Sequence, residues 1–300
     1  MKKSDAKTVF LALIVMALWG SLFPFIKIGY NAFAIDAKSI PDILVFAGMR
    51  FVVSGLVVCI YSLMRKETLS APKGKQIFHI FLAGLFSIVL HYAFTYIGIS
   101  TTDSSKTALI KQLGVLLYVC FAFLFFQDEK FNAFKIIGAV VGFGGIIAIN
   151  YKPGGVAFSS GDMLIIGASV CSVVASIISK KCVAGNSPFW VTGISQLTGG
   201  AILLVAAFAM GGKMLTFTWQ SAAAFAYICG ASIGAYTLWY YILRNNSLSK
   251  MFIIKFAEPL FACLFGAILL GENIFKLQYL VAFLLISAGI VLGNKSKEKK

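Results

Sequence analysis

The chain has 300 residues, of which 59% are hydrophobic and only 12% charged, and its mean hydropathy is +0.90. A soluble domain carries about twice that share of charge, so a water-soluble enzyme or binding domain is excluded and the composition defines a polytopic membrane protein. The net charge of +15 does not point to nucleic acid, because the basic residues sit in short loops and tails, as membrane topology requires.

A helix needs about 20 apolar residues to cross a bilayer. Such runs lie near 8–29, 42–64, 77–99, 105–126, 133–150, 162–180, 189–210, 219–242, 248–270 and 275–293. The prediction is an all-α membrane protein of ten transmembrane helices. The first run lacks a small-residue cleavage site and reads as a retained helix. Pro41, Pro72, Pro153 and Pro188 fall in or beside loops, whereas Pro24 and Pro259 fall inside spans, where proline kinks a helix and frees a carbonyl. Six cysteines show no metal spacing and read as small buried hydrophobes. Alternate loops collect seventeen Lys and Arg on one side and five on the other. The positive-inside rule therefore places both termini in the cytoplasm, and an even number of spans agrees.

Charged groups inside a span cost about 2.5–3.5 kcal/mol each on insertion scales. In chain order, the first span holds Trp19, Pro24 and Lys27, the last near enough to the outer end to reach the interface. The second holds Arg50, about 12 Å deep at 1.5 Å per residue. It either binds carbonyls at a helix break or faces a cavity and holds an anion. The third has Tyr92 and Tyr96 on one face, beside His91, which reads as a hydrogen-bonded core histidine. The fourth carries Lys111, with no acid three or four residues away. In the fifth, Gly142–Gly145 reads as close helix packing. The eighth repeats the tyrosine pair as Tyr236 and Tyr240, beside Trp239 and Tyr241. The ninth carries Lys255, Glu258 and Pro259. Glu258, one turn from Lys255, is available as its charge partner, the alternative to a substrate-facing lysine. Burial favours the neutral carboxyl and Lys255 the ionised one, which leaves a proton-carrier role open. Asp128 and Glu272 sit at helix ends, as hinges or caps.

An internal repeat emerges when residues 90–150 are slid onto 234–294, an offset of 144 with no gap. Tyr92 meets Tyr236, Tyr96 meets Tyr240, Lys106 meets Lys250, Lys111 meets Lys255 and Gly145 meets Gly289; about a dozen of 61 positions are identical. Apolar identities arise by chance, but aligned lysines within spans do not come easily. The predicted units, 1–150 and 151–300, hold five helices each. An odd number inverts the second unit, and inverted repeats are a common secondary-transporter plan with the substrate site between them. Glu258–Pro259 is one-sided, since Gly114–Val115 occupies the matching place.

Several stretches resemble the drug/metabolite transporter superfamily in its ten-helix form with two EamA-type repeats. They are ALWGSLFPFIKIG (17–29), FAGMRFVVSGLVV (46–58), KFAEPLFACLFGAILLGE (255–272) and LVAFLLISAGIVLGN (280–294). The one-sided Glu-Pro and the lysine pair depart from the family pattern. The resemblance implies a transporter of small metabolites without naming the cargo.

The embedded cations favour an anion or zwitterion over an organic cation. The expectation is a secondary transporter, exporting a small solute such as an amino acid by alternating access. It lies in a bacterial cytoplasmic membrane and needs no cofactor or metal. Candidate substrate-binding residues are Lys111, Lys255, Arg50, Tyr92, Tyr96, Tyr240 and Trp19. Glu258 is the coupling or charge partner, and Pro259 and Pro24 are the kink or gating residues. No Walker, nucleophile-elbow or zincin pattern suggests an enzyme. Partners are the solute and membrane lipids, with monomer or dimer left open. The alternatives are a lipid-headgroup flippase and a non-transporting structural membrane protein.

Overall fold

The computed structural model describes residues 3–64, 72–121, 124, 133–152, 155–156, 158–246, 255 and 257–293. These residues are helical apart from short connections and a two-residue hairpin, β1 (Tyr151–Lys152) with β2 (Gly155–Val156). The helices are α1 (Lys3–Ala32), α2 (Ile40–Met64) and a third rod running as α3 (Lys75–Gly84), a π-helical turn (Leu85–Leu90) and α4 (His91–Thr101). They continue as α5 (Ser104–Ile110), α6 (Leu113–Phe121), α7 (Ala133–Asn150), α8 (Ser160–Gly185), α9 (Pro188–Ala209), α10 (Trp219–Asn245), α11 (Glu258–Leu270) and α12 (Leu277–Gly293). Six of the rods among the described residues, spanning 7–32, 40–64, 75–101, 160–185, 188–209 and 219–245, are long and apolar enough to cross a membrane.

Their ends follow local chemistry. Ser159 with Asp162 caps α8, and Thr218 with Ser221 caps α10, each as a reciprocal capping box that satisfies orphan N–H groups. Ser187 caps α9 and Pro188 opens it, where a missing N–H is harmless. Lys180 reaches the other end of α10, donating to the Leu243 carbonyl at 2.6 Å and the Asn246 carbonyl at 2.7 Å. Gly271 closes α11 at φ 64°, a left-handed cap that glycine adopts without Cβ strain.

Two expected spans differ from continuous helices. The span 105–126 breaks at Lys111–Gln112, where α5 ends and α6 begins. The ninth is interrupted at Ala257, and Pro259 lies in the first turn of α11. Proline therefore starts a helix here, where it fits, and does not kink a continuous one. Under the 144-residue offset, the two restarts differ by a single residue. Pro24 behaves otherwise, since α1 runs through it.

Packing pairs α2 with α9, α7 with α12, α1 with α10 and α11, and α8 with α4 and α6. Glycines set the closest crossings. A Cβ on Gly145 would lie 2.7 Å from the Ala282 carbonyl oxygen, and one on Gly200 2.6 Å from the Val52 nitrogen. On the outside, Leu63, Val140, Val205 and Leu284 stand exposed, an apolar surface that suits lipid contact. Buried polar side chains gather along the inner faces of α4, α8 and α10.

Candidate functional site

The inner faces of these helices line a cavity of about 70 Å³. The helix α1 supplies Trp19, Leu22, Phe23 and Ile26, the i, i+3, i+4, i+7 positions of one face. The third rod adds Ser87, His91, Tyr92 and Thr95 from its π-helical turn onward; such turns recur at functional sites because they re-aim the following side chains. The helix α8 contributes Ser172, Ser176 and Ser179, and α10 contributes Tyr236, Trp239 and Tyr240.

The two helix breaks bring in the charges. Lys111, at the end of α5, lies with its Nζ 4.9 Å from the Phe23 ring centre and 6.0 Å from that of Tyr92. Lys255 lies with its Nζ 5.5 Å from the Trp19 ring and 5.8 Å from the Trp239 ring. The quadrupole of an aromatic face attracts a cation and holds it while leaving its charge in place. Glu258, 4% exposed, lines the same cavity, near enough for its carboxylate to act electrostatically on both lysines.

The one-sidedness of Glu258 has a steric cause. At the matching position, Gly114, an added Cβ would lie 2.9 Å from the Ser169 carbonyl oxygen and 3.0 Å from Ser172 Oγ. The helix α6 packs so closely on α8 that no carboxylate fits. On α1, Gly20 lets the backbone of α11 pack close. A Cβ there would sit 2.9 Å from the Ala262 nitrogen and 3.0 Å from the Glu258 carbonyl oxygen.

Of the residues expected from the sequence, Trp19, Tyr92, Lys111, Tyr240, Lys255 and Glu258 line the cavity. Arg50 and Tyr96 do not. Both are fully buried behind the wall, where Arg50 Nη1 donates to the Tyr96 hydroxyl and Nε donates to Ser232 Oγ at 2.6 Å. The guanidinium carbon lies 4.6 Å from the Phe51 ring centre and 5.2 Å from that of Tyr92. Pro24 and Pro259 do not line the cavity either; Pro259 acts by opening the helix that carries Glu258. His91 is bonded through Nδ1 to the Ala168 carbonyl at 2.8 Å and also faces the cavity.

The serines of α8 escaped the sequence reading. Their signal was a hydroxyl stripe at 172, 176 and 179 in an apolar helix. Serine is small enough to be tolerated anywhere in such a helix, bonding back to the preceding turn, as Ser172 and Ser176 do at 2.8 and 2.7 Å. Ser179 also meets the Tyr240 hydroxyl at 3.4 Å.

One ion pair and one backbone hydrogen bond tie α5 to distant parts of the chain. Lys106 Nζ is 2.8 Å from Asp162. Glu272, thrown outward by the Gly271 cap, accepts from the Ser104 N–H at 2.9 Å and lies 3.8 Å from Lys27 Nζ. Lys27 therefore has a carboxylate partner, and Glu272 caps a helix other than its own. Asp128 lies outside the described residues. Among the described residues, no group of His, Cys, Asp and Glu has the arrangement of a metal site.

These features define a polytopic membrane protein built around a cavity lined by charged and aromatic side chains. The sequence pattern of the EamA-like transporter family matches residues 6–151 and again 159–294, and the chain belongs to that family. It is 24% identical over 275 residues to an uncharacterized transporter of Archaeoglobus fulgidus, covering 90% of this chain and 91% of the relative. It is 26% identical to the uncharacterized transporter YvbV of Bacillus subtilis, with 98% and 94% covered. It is 24% identical to the uncharacterized inner membrane transporter YedA of Escherichia coli K12, with 92% and 87% covered. A crystal structure of another protein has the same fold, with a TM-score of 0.68 over 96% of each chain at 18% identity.

Proposed function

We infer that this protein is a secondary transporter of a small anionic or zwitterionic solute, working by alternating access around the central cavity. One observation carries the reading. The cavity wall holds two ammonium groups, Lys111 and Lys255, against the single carboxylate of Glu258 among the described residues, with hydroxyls and indoles filling the rest. Buried charge in a membrane is costly, and an anionic group entering between the lysines offsets that cost. Both lysines stand at helix interruptions, and discontinuous helices near the midplane are a recurrent way to build a carrier site.

The ten-helix, two-repeat reading has its support in two places. The family pattern matches twice in succession. The packing is also reciprocal: α1 against α10 and α11 has its counterpart in α8 against α4 and α6. The inner-membrane name of YedA and the excess of basic residues on one side support a bacterial cytoplasmic membrane with both termini inside. Export of an amino-acid-like solute is the direction and cargo carried over from the sequence.

Transport by purified protein in proteoliposomes tests this. Labelled carboxylates and amino acids are expected to cross faster than in protein-free vesicles, and Lys111→Gln is expected to abolish the difference. Transport confined to organic cations, or none above the lipid control for any solute class, overturns the reading.

A further inference from the structure

We propose that the cavity is built for a small dianion, a solute with two negative charges, in preference to a zwitterion. This rests on the cavity being the substrate site. Three cations stand in the middle of the bundle: Lys111 and Lys255 on the wall, and Arg50 directly behind it. The Tyr92 ring separates them, with its centre 5.2 Å from the Arg50 guanidinium and 6.0 Å from Lys111 Nζ. Among the described residues, the partners of Arg50 are neutral: Ser232, the Tyr96 phenol and aromatic faces. Such partners hold a guanidinium without cancelling its charge, and so little protein between it and the cavity screens its field weakly.

Against these three stands Glu258, the one carboxylate lining the cavity among the described residues. The remaining described carboxylates are committed or remote. Asp162 is held by Lys106, and Glu272 by Lys27 and Ser104. Asp42 accepts from Ser39 and the Lys213 N–H at the start of α2, and Asp36 and Asp103 are exposed. The side chain of Asp5 is not described; it sits in the first turn of α1. Glu67, Asp128, Glu129 and Glu298 lie outside the described residues, in stretches that the sequence places between spans or in the tail.

Among the described residues, the groups at and behind the cavity wall therefore carry an excess of two positive charges. A zwitterion leaves that excess untouched, a monoanion removes half of it, and a dianion cancels it. The difference grows as the cavity closes and water leaves, because uncompensated charge is dearest in the driest state. The donors match as well. Ammonium groups are donors only, and carboxylate or phosphate oxygens are the acceptors they bind best. Between the two lysines, Phe23, Trp19 and Trp239 offer apolar walls to a short carbon chain.

The test is ligand binding by full-length protein in non-ionic detergent at neutral pH and fixed ionic strength. The probes share one carbon skeleton: succinate, butyrate, 4-aminobutyrate and putrescine. Succinate is expected to bind most tightly, then butyrate, with 4-aminobutyrate weaker and putrescine absent. Lys255→Gln is expected to weaken succinate by about tenfold or more and to remove its advantage over butyrate. Glu258→Gln is expected to widen that advantage. A merely structural lysine would lower stability without changing this order of preference; if Lys255→Gln does not fold, Lys111→Gln makes the same comparison. A preference for 4-aminobutyrate or butyrate, or no binding of any probe, overturns the dianion inference and leaves the broader reading to its transport assay. Binding of putrescine alone overturns both.

Discussion

Arg50 shows how a single side chain can shape a site that it does not touch. Its fork reaches Ser232 on α10 and Tyr96 on α4 at once, so it ties two helices of the cavity wall together. Arg50→Gln is expected to destabilise the protein by about 1–3 kcal/mol, since buried hydroxyls are left poorly satisfied; thermal unfolding in detergent measures this. Arg50→Lys is expected not to restore stability, because an ammonium cannot reproduce the fork. The sequence left Arg50 between a structural role and a cavity-facing one. Depth along a helix does not say which way a side chain points, and only neighbouring helices decide that. Gly20 poses the opposite case of a residue without a side chain. With the Ala262 nitrogen and Glu258 carbonyl within 3.0 Å of an added Cβ, Gly20→Val is expected to cost about 1–3 kcal/mol by overpacking. It is also expected to weaken ligand binding, because the backbone that shifts carries Glu258.

At the scale of elements, the seven residues of α5 matter more than their length suggests. The helix carries Lys111 at its lower end and is held at its upper end by Asp162 and Glu272, from two distant parts of the chain. Asp162→Ala removes both the Lys106 partner and half of the α8 capping box. The expected loss is about 1–3 kcal/mol, the range for a lost cap together with a charged hydrogen bond. Amide exchange should quicken in α5 and at the start of α8 while α2 and α9 stay protected, and equal protection everywhere would contradict this account. Gly271→Ala is expected to cost about 1 kcal/mol through strain at positive φ, read by the same unfolding assay. The long apolar helices were legible from hydropathy, since each needs only a run of apolar residues. The break at Lys111–Gln112 was not. Neither glycine nor proline marks it, and apolar residues continue on both sides. Pro259 did mark the ninth span, but sequence reads a proline within an apolar run as a kink, whereas here the chain restarts a helix at it.

At the scale of the whole molecule, both termini should share one face of the membrane. With native cysteines replaced, a cysteine at Lys299 is expected to react with an impermeant maleimide only after permeabilisation, and one at Lys213 from outside intact cells. The opposite pattern would reverse the topology. By itself the sequence determined the class of protein, the long apolar rods, the lysine pair at a constant offset and the family. These depend on composition, periodicity and spacing, which are properties of the chain read along its length. Only the tertiary structure decided that Lys111, Lys255 and Glu258 line one cavity, that Arg50 is buried outside its lining and that Ser172, Ser176 and Ser179 complete it. Those facts depend on which helix faces pack together, and that is set by glycine contacts and caps between residues far apart in the chain.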